Sequence, residues 1–194
     1  HLRFTDNSQP INTSKNYLLF IGRMDHKKNI IFLLNAYAEY CHRLGKLALP
    51  FHLIGDGPEL EHYKKIAQDL NLHSVIFAGT QSDVIIAKEL SGARALLIPS
   101  IYEEWGIVVN EAISLSVPVI VSEHVRAREA IVRQFVNGLI IEPNNQEGWV
   151  KSMEMITIDD GFHKKLVEGT RRFKKLSGVE SFKDAVDYLI INTN

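Results

Sequence analysis

Two carboxylates on either side of a helix start offer the clearest chemistry in this sequence. Glu103 follows the apolar run 95–98, and Glu111 lies eight residues further along, inside a predicted helix that begins at Gly106. The first N–H groups of a helix have no intrahelical partner and lie at the positive end of its dipole, so they suit an anion such as a phosphate. The spacing therefore indicates a phosphate site flanked by carboxylates that can bind hydroxyl groups. The alternative is that Glu103 only favours the helix start and that Glu111 faces solvent.

Two cations after an earlier apolar run could neutralise the same kind of ligand. Arg23 and Lys28 lie between the run 17–21 and a stretch with helical spacing that begins at Ile30. An Arg side chain can grip a diphosphate through two nitrogens, whereas Lys acts as a mobile point charge. The alternative is that both are solvated surface charges.

Other polar loop residues have plainer interpretations. The segment 55–58, Gly-Asp-Gly-Pro, suits either an ordinary strand-to-helix turn or a loop that approaches a ligand closely. We expect Asn29 and Asn110 to be surface polar groups. Ser100 and Ser122 follow predicted strands, but no Gly-x-Ser-x-Gly turn surrounds either of them, so a hydrolase is poorly supported. The sequence also has no Gly-x-Gly-x-x-Gly loop after a strand, which weakens an NAD-dependent dehydrogenase interpretation.

Apolar runs and helical patterns alternate along the chain. The predicted strands are 17–21, 51–54, 75–77, 95–98, 118–121 and 139–141. Such alternation predicts an α/β fold, a Rossmann-like parallel sheet with helices on both faces, whose ligand binds beyond the carboxyl ends of the strands. We predict a linker or entry segment over 1–16 and a nucleotide-binding domain over 17–157. C-terminal helices at 162–176 and 182–190 are predicted within the segment 158–194.

Composition restricts the class of protein. The 194 residues are 45% hydrophobic with a formal net charge of -1, which suits a globular core and argues against nonspecific nucleic-acid binding. Cys41 is the only cysteine and the histidines show no metal-ligand spacing, so we predict no metal site and no intramolecular disulfide. No apolar run approaches about 18 residues and no signal-peptide core is apparent, so a cytoplasmic location is expected.

Several segments, in their order along the chain, resemble the donor-binding half of retaining GT-B glycosyltransferases, the glycosyltransferase group 1 or E-x7-E family. The most specific part is the pair Glu103 and Glu111 in the setting Pro-Ser-x-Tyr-Glu-x-Trp-Gly. The resemblance covers residues 17 to about 157 and rests on the following segments: Gly22-Arg23 with Lys28, 55–59, 75–79, 99–103, 106–111 and 118–122.

The resemblance implies roles for individual residues. Glu103 is expected at the donor sugar and Glu111 at the ribose. Arg23 and Lys28 match the diphosphate-binding pair and, with Glu103, form the expected catalytic group, because cations stabilise the charge on the leaving diphosphate. Backbone N–H groups at Gly106 and Ile107 are expected near the phosphates. The remaining expected donor-binding residues are Gly22, Gly55, Gly79 and Thr80, the last two in the wall of the base site.

This sequence departs from the family pattern at three places. Glu104 replaces a glycine, and its charge would weaken diphosphate binding if the side chain pointed inward. Asn29 stands where glycine commonly follows the lysine. The segment 125–129 replaces the usual Gly-Gly-x-Pro-Glu and matches only at Glu129. These changes leave the shapes of the local loops open.

The resemblance also implies an activity and its partners. The expected reaction transfers a hexose-type sugar, with retention, from a nucleotide sugar to an acceptor hydroxyl in bacterial surface polysaccharide or glycan synthesis. No cofactor is expected, the donor is expected to be a UDP- or GDP-sugar, and the acceptor a glycan or a lipid-linked molecule. An N-terminal acceptor-binding domain is expected outside this chain, which we expect to be inactive alone. The alternatives are a GT-B sugar-nucleotide epimerase and a non-catalytic nucleotide-binding module.

The basic segment 164–175 allows two interpretations. Its lysines and arginines surround apolar residues, which suits peripheral contact with the inner face of an anionic membrane. We favour a solvated helix face or packing against the further domain.

Overall fold

One parallel sheet forms the centre of the protein. The computed structural model describes residues 16–177, and its six strands run in the order β3-β2-β1-β4-β5-β6. The strands are β1 (Leu18–Ile21), β2 (Phe51–Ile54), β3 (Val75–Gly79), β4 (Ala95–Ile98), β5 (Val119–Ser122) and β6 (Gly138–Ile141). This arrangement confirms the predicted α/β, Rossmann-like fold. The segment 1–15 and the helix predicted at 182–190 lie outside the described residues.

Helices connect the strands and cover the sheet. They are α1 (Ile30–Leu44), α2 (Leu60–Asp69), α3 (Asp83–Gly92), α4 (Ile107–Ser114), α5 (Ala127–Ile131), α6 (Gln146–Ile158) and α7 (Asp160–Ser177). Every residue of β4 and of β5 is buried. Because successive side chains of a strand point to opposite faces, complete burial means that helices cover both faces of the sheet.

The strand order reverses between β1 and β4, at the middle of the sheet. These strands pair in parallel, with Leu18 opposite Ala95 and Leu19 opposite Leu96. In an open parallel sheet, such a reversal leaves a crevice between the loops that follow the two strands. The loops after β1 and β4 carry the basic pair and the first glutamate of the sequence prediction, so the fold places them side by side.

Helix α7 packs against α4, α5 and α6. Leu166 and Thr170 are fully buried in this contact. Gly169 lets α7 approach the loop between α5 and β6, since an added Cβ would lie 1.8 Å from the carbonyl oxygen of Val136. The described part of the predicted C-terminal segment therefore packs on this domain, and packing of the segment on a further domain stays a prediction. No helix among residues 16–177 is long and apolar enough to cross a membrane.

Arg94 joins the start of β4 to the junction between α6 and α7. Its guanidinium donates to the carbonyl oxygen of Ile156 at 2.8 Å and to Asp160 Oδ1 at 2.6 Å. The Arg94 carbonyl oxygen in turn lies 2.9 Å from His163 Nε2. Because only 13% of the Arg94 side chain is exposed, these contacts satisfy a charge that is largely removed from water.

Candidate functional site

A cavity of about 260 Å³ opens at the carboxyl ends of β1 and β4. It brings together predicted residues from three places: the loop after β1, the loop after β4, and the first turns of α4. The lining residues are Phe20, Ile21, Gly22, Lys28, Ile98, Glu103, Gly106, Ile107, Val108 and Glu111. Arg23, Gly55, Gly79 and Thr80 are not among these lining residues.

Close backbone contact shapes the edge of the cavity at β1 and β2. Gly22 N donates to the carbonyl oxygen of Ile54 at 3.0 Å. Gly55 has φ +135°, and an added Cβ would lie 1.9 Å from the carbonyl oxygen of Gly22. Gly55 N also donates to the carbonyl oxygen of Gly79 at 2.8 Å. Gly55 and Gly79 therefore hold neighbouring strand ends together, and contact between a base and Gly79 or exposed Thr80 stays a prediction.

Asn29 fixes the basic loop that delivers Lys28 to the cavity. It adopts a left-handed conformation with φ 56° directly after a 3₁₀ turn at His26–Lys28. Its Nδ2 donates to the carbonyl oxygens of Pro99 at 3.3 Å and Pro143 at 3.2 Å. The prediction of a surface polar group is therefore wrong. Asparagine tolerates the left-handed conformation better than most residues, which explains how it replaces the family's glycine.

Lys28 and Glu103 form an ion pair across the middle of the sheet, between Nζ and Oε2. Each side chain is 18% exposed, so the pair lies mostly inside the cavity. Arg23 differs, because 70% of its side chain is exposed and its Nε lies 3.7 Å from Asp25 Oδ2. The structure thus brings one of the two predicted cations into the cavity and leaves the other exposed, outside the lining residues.

The loop after β5 supports the loop that carries Glu103. Glu103 N donates to the carbonyl oxygen of His124 at 3.3 Å, and Arg126 N donates to that of Glu103 at 3.3 Å. Ala127 N donates to the carbonyl oxygen of Trp105 at 2.9 Å. This contact involves the segment that departs from Gly-Gly-x-Pro-Glu, and its Val125 is fully buried. The altered segment is therefore a packed support for the Glu103 loop.

Gly106 is the N-cap residue of α4 and lines the cavity. It has φ +86°, and an added Cβ would lie 3.0 Å from Val125 Cγ1 and 3.2 Å from Glu103 Cγ. No side chain caps this helix start. The residues of the first turn, Ile107 and Val108, line the cavity, so N–H groups without helical partners are available to an anion there.

Glu111 provides the second carboxylate in the cavity. Among residues 16–177, its side chain has no hydrogen-bond or ion-pair partner. Burial raises the pKa of Glu111, and the negative charge of Asp83 raises it further. A partly buried carboxylate that lines a cavity without a protein partner is suited to accept hydrogen bonds from a ligand's hydroxyl groups.

The positions of Glu104 and Asn110 bear on two of the sequence predictions. Glu104 is exposed and does not line the cavity, and its Oε1 lies 3.4 Å from the Tyr102 hydroxyl. Glu104 was expected to weaken diphosphate binding only if its side chain pointed inward, and this side chain lies outside the cavity lining. Asn110 is only 7% exposed and its Oδ1 accepts from Trp105 Nε1 at 3.1 Å, so the prediction of a surface group is wrong here too.

Sequence reasoning gave no role to Val125 as a support or to Asp83 as a neighbour of Glu111. The signal for Val125 was present, since an apolar residue in an otherwise charged loop is typically buried. Asp83 had no such signal, because its effect on Glu111 depends on how α3 and α4 are placed. Within the described part of the chain, no cluster of three or more His, Cys, Asp or Glu side chains could hold a metal ion.

Solved structures share this fold. The C-terminal domain of LpcC, a glycosyl transferase group 1 family protein from Francisella tularensis, matches with a TM-score of 0.72 and 18% identity, covering 82% of this chain and 85% of that domain. TarM from S. aureus, solved with fondaparinux, α-GlcNAc-glycerol and UDP, matches with a TM-score of 0.77 and 20% identity, covering 93% of this chain and 36% of TarM. The fold is therefore that of the C-terminal domain of a GT-B glycosyltransferase.

Sequence comparison identifies the family. LpsE, a lipopolysaccharide core biosynthesis glycosyltransferase from Rhizobium meliloti, is 30% identical over 152 residues, which cover 78% of this chain and 42% of LpsE. The aligned part of the chain covers less than half the length of these curated relatives. A family model for glycosyl transferases group 1 matches residues 3–173. The chain therefore belongs to the glycosyl transferases group 1 family, as the order of its motifs predicted.

Proposed function

We propose that this chain is the donor-binding half of a retaining glycosyltransferase, which transfers a hexose-type sugar from a nucleotide sugar to an acceptor hydroxyl. One observation carries the proposal: Lys28, the start of α4 and two carboxylates meet in one cavity. A cation and free N–H groups suit a diphosphate, and the carboxylates suit the hydroxyl-rich groups on either side of it.

The diphosphate is assigned to the space between Lys28 and the first turn of α4. When the glycosidic bond breaks, negative charge develops on the leaving diphosphate. A fixed cation and oriented N–H groups stabilise that charge without having to reorganise. Arg23 is the proposed second cation, which approaches the phosphates from the exposed edge of the cavity.

The two carboxylates are assigned to different hydroxyl groups. Glu111, inside α4 and without a hydrogen-bond partner for its side chain among residues 16–177, accepts hydrogen bonds from the ribose. Glu103, on the loop after β4, holds the donor sugar in the orientation needed for transfer. The base lies beyond the cavity, towards Gly55, Gly79 and Thr80.

The comparisons support a nucleotide-sugar donor and a glycan acceptor. TarM and the pneumococcal O-GlcNAc transferase GtfA were both solved with UDP, so UDP-sugars are the first donors to test and GDP-sugars the second. LpsE is named for lipopolysaccharide core biosynthesis, which supports a glycan or lipid-linked acceptor in bacterial surface polysaccharide synthesis. The acceptor site and full activity are assigned to an N-terminal domain beyond this chain, since the matched segments cover only 43% and 42% of these relatives.

A ligand screen followed by product analysis tests this function. Thermal unfolding is measured with UDP-, GDP-, ADP- and TDP-sugars, because a ligand that binds only the folded state raises the melting temperature. The preferred donor is then incubated with an acceptor extract and either this chain or the full-length protein. We expect stabilisation by one nucleotide class and transfer by the full-length protein alone. Stabilisation by no nucleotide, or release of an epimerised sugar nucleotide, would contradict the proposal.

A further inference from the structure

The carboxylate proposed to hold the donor sugar is bound to the cation proposed to hold the diphosphate. Glu103 Oε2 is paired with Lys28 Nζ inside the cavity. This contact offsets the charge of Lys28 before a ligand arrives. A diphosphate at Lys28 would face the carboxylate of Glu103 at close range, and repulsion between the two negative groups favours movement of the carboxylate.

We infer that Glu103 sets the preference of this site for a sugar nucleotide over the corresponding free nucleoside diphosphate, by competing for Lys28. The inference rests on the proposed function. When a sugar is attached, its hydroxyl groups donate hydrogen bonds to the displaced carboxylate. A free nucleoside diphosphate has no sugar to donate them, so the carboxylate exchanges its cation for water alone.

The surroundings of the pair strengthen this competition. Each side chain is 18% exposed, so solvent screens the pair less than it would screen a surface ion pair. The backbone of Glu103 is hydrogen-bonded to His124 and Arg126, so the carboxylate leaves Lys28 by rotating its side chain.

Neighbouring cations already have other contacts. Arg23 Nε lies 3.7 Å from Asp25 Oδ2, and Lys27 Nζ lies 5.7 Å from the centre of the Tyr102 ring. While these contacts are kept, a displaced Glu103 carboxylate exchanges Lys28 for the hydroxyl groups of the sugar or, without a sugar, for water. After transfer the sugar is gone, and return of Glu103 to Lys28 favours release of the nucleoside diphosphate.

Calorimetry on two variants tests this inference. Binding of UDP, UDP-glucose, GDP and GDP-mannose is measured for the wild type, Glu103→Gln and the matched control Glu104→Gln. Glu104 carries the same charge on the next residue but is exposed and outside the cavity. We expect Glu103→Gln to tighten nucleoside diphosphate binding about three- to tenfold while sugar nucleotide binding weakens. Glu104→Gln should change either affinity by less than about twofold.

The variant Lys28→Met distinguishes competition for Lys28 from a general repulsion between Glu103 and the diphosphate. In Lys28→Met, Glu103 has no cation to compete for, so adding Glu103→Gln should no longer tighten diphosphate binding. An equal gain in that background, or equal effects of Glu103→Gln and Glu104→Gln, would overturn the inference while leaving the donor site intact. Absence of binding by the wild type to all four probes would overturn the proposed function and this inference together.

Discussion

Replacing Gly106 by alanine tests the packing that holds the cavity wall. At φ +86°, the left-handed backbone costs an alanine roughly 1–2 kcal/mol. The new Cβ would also lie 3.0 Å from Val125 Cγ1 and 3.2 Å from Glu103 Cγ, closer than the carbon–carbon optimum of about 3.5–4.0 Å. Crowding of this kind costs about 1–3 kcal/mol. We therefore expect Gly106→Ala to lower the free energy of unfolding by roughly 2–5 kcal/mol in total.

Gly79 provides a matched control for the backbone contribution. It has φ +67°, and an added Cβ would meet no atom within 4 Å. Gly79→Ala should therefore cost only the backbone strain, about 1–2 kcal/mol. Urea unfolding followed by circular dichroism gives both values, provided that the dependence on urea concentration is unchanged.

The double variant Gly106→Ala, Val125→Ala removes the nearest crowding methyl. Its destabilisation should be smaller than the sum of the two single effects, because the substituted side chains are in contact. The crowding argument is refuted if Gly106→Ala costs no more than Gly79→Ala, or if the double variant is simply additive.

Three further predictions concern charged residues. Lys28→Ala should weaken nucleoside diphosphate binding by about 1.5–3 kcal/mol, and Arg23→Ala should weaken it less, because the Arg23 side chain is 70% exposed. If calorimetry gives the reverse order, Lys28 is not the main cation. Glu111 has a raised pKa in the folded chain, so its contribution to stability falls as pH rises from its unfolded pKa through its folded pKa. Glu111→Gln should therefore be more stable than the wild type at pH 7 but not at pH 4. Urea titrations that show equal differences at both pH values would contradict this. Arg94→Ala should lower the free energy of unfolding by about 1.5–3 kcal/mol, because its largely buried hydrogen bonds are lost. Arg171 lies at an exposed site, so Arg171→Ala serves as the near-neutral control in the same urea unfolding assay.

The order of strands and helices could be predicted because each buried strand is a short apolar run. All residues of the segment 95–98 are buried, so the segment is an unbroken apolar run, which is the pattern expected of a strand covered on both faces. Boundaries were less predictable, as β3 continues two residues beyond the predicted end at Phe77, and β6 begins one residue before the predicted start at Leu139. Both differences arise where glycine, or contact with the neighbouring loop, overrides the local apolar pattern.

Some of the residues that line the cavity were predictable from the sequence, but their contacts were not. Glu103, Glu111 and Lys28 could be named because fixed spacing after strands places them at one edge of the sheet. The ion pair between Lys28 and Glu103 joins residues 75 positions apart, so no local pattern encodes it. Asn29 was misjudged for the same reason, since its two acceptors belong to distant loops that only the folded chain brings near.

The pairing of β1 with β4 has a kinetic consequence. Its ladder, with Leu18 opposite Ala95 and Leu19 opposite Leu96, joins two halves of the sheet that are far apart along the chain. A contact of such long range requires closure of a large loop, so we expect it to form late in folding and to separate early in unfolding. The cavity spans this pairing, with Lys28 on one half and Glu103 on the other. A nucleotide bound there should therefore act as a clamp that prolongs the lifetime of the folded domain, chiefly by slowing its unfolding.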